Sequence, residues 1–128
     1  MVSQSARILL LDDEEEILSE LSEFLDIRGY DHHCANNTGK ALEILLQHKS
    51  ISILITDILM RGATGTEFIA DLEKMGEVQA RGMHYIIISG HAAPEDIAQL
   101  IKVPHIFMRK PIDPYELLKA LDGILAQG

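Results

Sequence analysis

Residues 53–57 read Ile-Leu-Ile-Thr-Asp, and this stretch decides how the rest of the chain is interpreted. It is a short, largely β-branched run that ends at one acidic residue, Asp57. Two other short runs are also nearly continuously apolar, ILLL at 8–11 and YIIIS at 85–89. Nearly continuous apolar runs of this length are typical of parallel strands that are covered on both faces. The three runs therefore predict the central strands of a parallel sheet.

Helical patterns separate the predicted strands, which we place at Arg7–Leu11, Asp31–Ala35, Ser52–Thr56, Tyr85–Ser89 and His105–Met108. Between and after them, apolar residues recur at helical spacing in the stripes Ile17–Leu25, Ala41–Leu46, Phe68–Met75, Ile97–Ile101 and Leu117–Leu125. We expect Gly76 to close the third helix, and Asp113-Pro114 to open the fifth as N-cap and first helical residue. Five strand–helix units in strict alternation predict an α/β fold, with one parallel sheet and helices on both faces.

Composition limits the classes of function. A chain of 128 residues suits a single domain spanning 1–128, and its one cysteine, Cys34, allows no intramolecular disulfide. The net charge of −9 and the lack of a basic stripe argue against direct binding to nucleic acid. No apolar run approaches the roughly 20 residues that span a membrane, so we expect a cytoplasmic protein.

Polar residues follow or close four of the predicted strands. Asp12 and Asp13 follow the first strand, and Asp57 follows the third. Ser89 closes the fourth strand, and Lys110 comes shortly after the fifth. Ligands of doubly wound folds bind beyond the carboxyl ends of the strands, so we expect these five residues to share one crevice.

The chemistry of this set points to phosphoryl transfer. Three carboxylates in one crevice repel one another unless a cation joins them, and Mg²⁺, which prefers oxygen ligands, would relieve the repulsion. A lysine and a serine hydroxyl suit the acceptor oxygens of a phosphoryl group. The residues together predict transfer of a phosphoryl group onto a carboxylate, with Asp57 as the nucleophile.

This arrangement resembles the receiver domain of bacterial response regulators, the phosphoacceptor domain of two-component signalling. The resemblance runs from about Arg7 to Leu125. Residues 57–60, with Gly65 and Glu67 beyond them, look like the family's phosphoacceptor loop, and residues 107–111 are similar to its closing signature. The resemblance implies a flavodoxin-like sheet with strand order 2-1-3-4-5 and five helices.

The resemblance also implies a role for each acidic residue. Asp57 would accept the phosphoryl group from a histidine kinase or a phosphotransfer protein. Asp13, Asp57 and the backbone carbonyl of Leu59 would bind Mg²⁺ directly, and Asp12 would act mainly through water. The domain would be no enzyme in the usual sense, because it would assist only its own phosphorylation and dephosphorylation.

The remaining implied roles concern signal output. Ser89 and Lys110 would hold the phosphoryl oxygens, and the Lys110-Pro111 peptide bond would be cis. Phe107 would be an aromatic switch residue that follows movement of the Ser89 hydroxyl. The fourth helix, fifth strand and fifth helix would then present a face to a downstream effector protein or domain. The same face is a candidate for homodimerisation, which the sequence does not decide.

The sequence departs from the family's pattern at the edges of the site. Arg61-Gly62 stands where proline usually follows the methionine of the phosphoacceptor loop, which predicts a more flexible loop. Leu59 and His91 border the path of the water that hydrolyses an acyl phosphate. Leu59 could shield the phosphoryl group and His91 could orient water, and the sign of their joint effect on lifetime does not follow from the sequence.

Other interpretations of the same residues remain open. Asp13 and Glu16 also form a capping-box pattern at the start of the first helix. His32 and His33 resemble a metal pair, although neighbours on a strand point to opposite faces.

Three other classes of protein are alternatives. A flavin-type cofactor binder would want glycines or hydroxyls in the first loop, where this chain has acids. An aspartate-dependent phosphatase would want a second acid at the position of Leu59. The third alternative is a receiver-like interaction module that works without phosphorylation. Such a module usually lacks one of the acids or the lysine, and none is missing here.

Overall fold

The computed structural model describes residues 6–60, 63–90 and 94–126. Its first half contains, in chain order, β1 (Ile8–Leu11), α1 (Glu15–Ile27), β2 (His32–Ala35), α2 (Thr38–Gln47), β3 (Ile53–Asp57), β4 (Leu59–Met60) and β5 (Ala63–Thr64). Its second half contains α3 (Gly65–Glu73), α4 (Gly76–Gln79), β6 (His84–Ser89), α5 (Pro94–Leu100), β7 (His105–Arg109) and α6 (Pro114–Ala126).

Five of the strands form one parallel sheet in the order β2-β1-β3-β6-β7. This confirms the doubly wound α/β fold, since the five principal strands lie in the order 2-1-3-4-5. The chain moves outward from β1 to β2 and then returns to the other side of β1 to form β3. The direction of winding therefore reverses between β1 and β3, and a crevice forms at the carboxyl ends of strands where this occurs.

The sheet is buried on both faces, which explains its continuous apolar strands. Leu9 and Leu11 of β1 belong to a core cluster that includes buried residues of α2, α3, α4 and α5. Ile8 and Leu10 point the other way, into a second cluster with α1 and α6. Alternate residues on a strand face opposite sides of a sheet, so every position in such a strand must be apolar when helices cover both sides.

Helix ends agree with the sequence patterns in some places and differ in others. Asp113 Oδ1 accepts a hydrogen bond from the Tyr115 backbone N–H at 2.9 Å, as expected for the N-cap of α6. The predicted capping box of Asp13 and Glu16 is wrong, because the N-cap of α1 is Glu14, which makes no side-chain cap. The carboxylate of Asp12 instead accepts from the Glu14 backbone N–H at 2.8 Å.

The structure contains a sixth helix, within its described residues, where five were expected. Helix α3 ends at Glu73, and Gly76 begins the short helix α4 instead of closing α3. The side chain of Val78 is fully buried in the core, and this packing stabilises α4. A four-residue helix is too short to show a periodic pattern, and glycine is more often a helix end than a beginning.

Residues just after β3 form a second small element that the sequence patterns did not predict. Strands β4 and β5 pair antiparallel, with Leu59 opposite Thr64 and Met60 opposite Ala63. The hairpin leads into α3, where the Thr64 hydroxyl caps the helix by accepting from the Glu67 backbone N–H at 3.2 Å. Among the described residues, no helix combines the length and apolar character needed to cross a bilayer.

Candidate functional site

The three predicted acidic residues meet at the carboxyl edge of the sheet. Asp12 and Asp13 follow β1 directly, and Asp57 is the last residue of β3. One carboxylate oxygen from each lies within 4.8 Å of the others, and no other such group of His, Cys, Asp or Glu was found in the described part of the chain. The adjacency of β1 and β3 in the sheet brings these distant sequence positions together.

Lys110 reaches the same place from the loop after β7. Its Nζ donates to Asp57 Oδ2 at 3.2 Å and lies 3.5 Å from Asp12 Oδ2. The backbone N–H of Lys110 donates to the carbonyl of Ser89 at 2.9 Å, which holds the loop against the end of β6. The Lys110-Pro111 bond is cis, as expected.

The charges around Lys110 keep it protonated. Burial would lower the pKa of the ammonium group, but its hydrogen bonds to the carboxylates of Glu14 and Asp57 and the negative charge of Asp12 outweigh that effect and raise the pKa. Lys110 is therefore a permanent cation at the edge of an acidic crevice.

Asp12 is the most deeply buried member of the acidic set, with 2% of its surface exposed. Burial raises its pKa, opposed by the Glu14 backbone N–H and Lys110 and reinforced by the charge of Asp57. Its Oδ2 atom is buried and makes no hydrogen bond in the part of the chain that the structure describes. A buried oxygen without a hydrogen bond, beside two further carboxylates, fits a site for a hard divalent cation such as Mg²⁺.

The backbone around Asp57 is held from several sides. The Ile58 N–H donates to Asp57 Oδ1 at 2.7 Å, and the Thr56 hydroxyl donates to the Asp57 carbonyl at 2.9 Å. The Ile58 carbonyl in turn accepts from the Gly65 N–H at 2.8 Å. These bonds leave Asp57 Oδ2 as the carboxylate oxygen that faces Lys110.

A cavity of about 210 Å³ opens beside the carboxylate of Asp57. Its lining residues come from four segments of the chain: Glu14, Asp57, Leu59, Ser89, Gly90 and Lys110. Ser89 is buried at the end of β6, whereas the side chain of Leu59 is 55% exposed at the mouth. The cavity therefore has a polar floor and one apolar wall.

Phe107 lies on β7, two residues before the end of the strand. It is partly buried and packs against the core cluster that faces α5. The Arg109 guanidinium lies over its ring, 5.7 Å from the centroid. Ile87 pairs with Phe107 and Ser89 with Arg109, so Phe107 and Ser89 lie on neighbouring strands.

The remaining residues singled out in the sequence do not form part of the described site. Arg61, Gly62 and His91 lie outside the described residues. His32 bonds to Ser22 at 2.7 Å, and His33 stacks on His48, so the two imidazoles do not converge on one ion.

Sequence reasoning missed Glu14, whose Oε1 accepts from Lys110 Nζ at 2.9 Å. Its place directly after the acidic pair was the available signal.

A family comparison agrees with this geometry. Residues 8–122 match the model of the response regulator receiver domain. The crystal structure of a response regulator receiver domain protein from Clostridium thermocellum superimposes with a TM-score of 0.82 at 27% identity, covering 95% of each chain.

Two longer proteins are also similar. One is the two-component response regulator PprB of Pseudomonas aeruginosa, 28% identical over 95% of this chain and 44% of its own length. Another is the transcriptional regulatory protein GlrR of Escherichia coli K12, 29% identical over 99% of this chain and 28% of its own length. The chain thus spans less than half of either relative. The family match, together with the sheet order and the acid–lysine crevice, shows that this chain belongs to the response regulator receiver domain family of two-component systems.

Proposed function

We propose that this receiver domain is switched by phosphorylation of Asp57 in the presence of Mg²⁺. The observation that carries the proposal is the position of Asp57 Oδ2, 3.2 Å from the Lys110 ammonium group and beside two further acids. A phosphoryl group on that oxygen would enter the cavity lined by Ser89 and Lys110. The hydroxyl and the ammonium group would then donate hydrogen bonds to its oxygens.

The proposed transfer forms one bond to phosphorus and breaks another. A carboxylate oxygen of Asp57 forms a bond to phosphorus while the bond from phosphorus to the donor breaks. In a phosphohistidine donor this is a P–N bond, and the imidazole leaves after taking up a proton. A small acyl phosphate would lose its carboxylate in the same way. Lys110 offsets negative charge at the phosphoryl oxygens throughout.

The metal ligands in this proposal are Asp13, Asp57 and the backbone carbonyl of Leu59, with Asp12 acting mainly through water. Bound Mg²⁺ would offset the charge of the phosphoryl oxygens and of the carboxylates. The buried Oδ2 of Asp12 and the spacing of the three carboxylates support this assignment.

The proposed output is a shift between two conformations of one face. Phosphorylation would draw the Ser89 hydroxyl toward the phosphoryl group, and Phe107 would turn into the space that it leaves. Helix α5, strand β7 and helix α6 would then present a different surface. Leu100, Ile106 and Tyr115 leave apolar surface exposed on these three elements, which suits a protein partner.

The proposed partners follow from these roles. The donor is a histidine kinase or a phosphotransfer protein, and the receptor of the signal is an effector protein or domain or a second copy of this chain. We therefore propose that the domain acts in the cytoplasm, where a histidine kinase has access to ATP. As a signalling domain it would assist only its own phosphorylation and dephosphorylation. The intact set of acids and lysine favours this function over an interaction module that works without phosphorylation.

Intact-mass measurement after incubation with acetyl phosphate tests the proposal. We expect one added phosphoryl group on the wild-type chain when Mg²⁺ is present and none when the metal is chelated. Asp57→Asn should abolish the gain, whereas Asp71→Asn, at an exposed position on α3, should retain it. Failure of both acetyl phosphate and a beryllofluoride mimic to modify or perturb the wild type would favour the phosphorylation-independent module.

A further inference from the structure

The Glu14 carboxylate is paired with the ammonium group of Lys110, the cation that the proposed phosphoryl group needs. Its Oε1 lies 2.9 Å from Lys110 Nζ, closer than either Asp57 or Asp12. Glu14 also lines the cavity beside Asp57. It therefore borders the space that a phosphodonor of Asp57 would have to enter.

The donor capacity of Lys110 makes this contact consequential. An ammonium group has three N–H donors. Three carboxylates surround it, from Asp12, Glu14 and Asp57. Glu14 and Asp57 accept hydrogen bonds from it, at 2.9 and 3.2 Å, and Asp12 Oδ2 lies 3.5 Å away as an ion pair. A phosphoryl oxygen that arrives at Lys110 therefore competes with Glu14 for the charge and for the N–H donors of the ammonium group.

Glu14 is the carboxylate that can leave most easily. Its side chain is 60% exposed, compared with 2% for Asp12 and 7% for Asp57. A released Glu14 carboxylate would return to water, whereas a released Asp12 would be left buried without its cation. The backbone of Glu14 stays anchored by the bond from its N–H to Asp12 Oδ1, so only the side chain needs to swing away.

We propose that Glu14 is a positioning residue that competes with the incoming phosphoryl group for the Lys110 ammonium, and so sets how readily the site accepts a phosphodonor. The inference rests on the proposed phosphorylation of Asp57. Glu14 holds the Lys110 side chain beside Asp57 before phosphorylation and releases it when phosphoryl oxygens arrive. Its negative charge also repels anionic donors at the mouth of the cavity.

Glu14→Gln tests the competition, because the substitution keeps the shape and removes the charge. The matched control is Glu16→Gln, which removes the same charge from an exposed position in the first turn of α1. Initial rates of phosphorylation by acetyl phosphate with Mg²⁺ would be followed by intact mass across a range of donor concentrations. The dissociation constant for beryllofluoride would be measured on the same variants.

We expect Glu14→Gln to lower the half-saturating acetyl phosphate concentration roughly two- to fivefold and to tighten beryllofluoride binding by a similar factor. The rate constant at saturating donor should not change, and the melting temperature should fall by no more than about 3 °C, because the contact that is removed is a partly exposed ion pair. Glu16→Gln should behave like the wild type in every assay.

The other outcomes separate the two proposals. Phosphorylation of the wild type with an unchanged half-saturating concentration in Glu14→Gln would overturn the competition alone. The same would follow if Glu16→Gln matched Glu14→Gln, because the effect would then be one of net charge, or if only the saturating rate moved. A wild type that takes up no phosphoryl group would overturn the proposed function together with this inference.

Discussion

The carbonyl oxygen of Asp57 lies directly against Gly65, eight residues further along the chain. A Cβ at position 65 would meet this oxygen well inside van der Waals contact, and would also crowd the Thr56 hydroxyl. The Gly65 N–H donates to the Ile58 carbonyl at 2.8 Å. The start of α3 therefore cannot move away from the end of β3 without breaking this backbone hydrogen bond. Glycine at this position fixes how closely the start of α3 approaches the candidate phosphoacceptor.

Gly65→Ala is therefore expected to distort the site. Overpacking of this kind costs about 1–3 kcal/mol of unfolding free energy, and it should slow phosphorylation by acetyl phosphate because Asp57 moves away from Lys110. Gly123→Ala is the matched control, since a Cβ there meets nothing within 4 Å in the last turn of α6. That variant should gain about 0.5–1 kcal/mol from helix propensity and keep its phosphorylation rate. Urea unfolding and intact mass would measure both, and equal behaviour of the two variants would contradict the prediction.

Asp12→Asn should stabilise the protein when no divalent cation is present. Burial raises the pKa of Asp12 above the ordinary value of 3.8, so its ionised form is less favourable in the folded chain than in the unfolded chain. The ionised Asp12 carboxylate lowers the free energy of unfolding. This loss is absent when the pH is below the pKa of Asp12 in the unfolded chain, and it is complete when the pH is above its pKa in the folded chain. At neutral pH a neutral asparagine removes that loss and can keep the bond from the Glu14 N–H.

Thermal unfolding at pH 7 with a chelator should show the melting temperature of Asp12→Asn raised by about 2–6 °C. Added Mg²⁺ should raise the melting temperature of the wild type and have a much smaller effect on the variant. Asp71→Asn, at an exposed position, serves as the control and should respond to Mg²⁺ like the wild type. A variant less stable than the wild type without metal would contradict this, because it would show that the ion pair between Asp12 and Lys110 stabilises the fold by more than the burial of the Asp12 charge destabilises it.

Leu59→Asn should shorten the lifetime of the phosphorylated form. Leu59 presents an exposed apolar side chain at the mouth of the cavity beside Asp57. An amide there could hydrogen-bond a water molecule near the acyl phosphate, and one such bond corresponds to a roughly two- to tenfold faster hydrolysis. Loss of the added mass with time, after removal of the phosphodonor, measures the rate. Leu46→Asn, a partly exposed leucine on α2, should leave it unchanged. An unaltered lifetime in Leu59→Asn would mean that the leucine does not limit access of water.

Arg81→Ala should weaken the fold without touching the site. The Arg81 guanidinium donates to the carbonyls of Leu45 at 2.7 Å, Ile51 at 3.1 Å and His48 at 3.5 Å, and so caps the carboxyl end of α2. Loss of these charge-assisted bonds should cost about 1.5–3 kcal/mol of unfolding free energy. Lys49→Ala, a nearby exposed cation, should change it by less than about 0.5 kcal/mol. The urea concentration at the midpoint of unfolding would be measured for both variants. Equal shifts of this midpoint would refute a capping role for Arg81.

Local patterns in the sequence determined the principal strands and the residues at their ends. The run Ile53–Thr56 favours a strand covered on both sides, because it is nearly continuously apolar and too short for a typical helix. Strict alternation of such strands with helical stripes leads to a doubly wound sheet. Parallel strands end at one edge, so chain order places Asp12, Asp57 and Lys110 at the same edge of the sheet. The order of the strands within the sheet then brings them together.

Tertiary structure alone decided what depends on distant partners. Glu14 and Lys110 are 96 positions apart, and no periodicity relates them. Helix α4 exists because Val78 fills a space between other elements, and Arg81 matters because α2 ends beside it. The close approach of Gly65 to Asp57 also depends on the antiparallel pairing of β4 with β5 between them. Short-range patterns report burial and secondary structure, whereas hydrogen-bond partners and the packing of short segments are set by which surfaces meet when the whole chain folds.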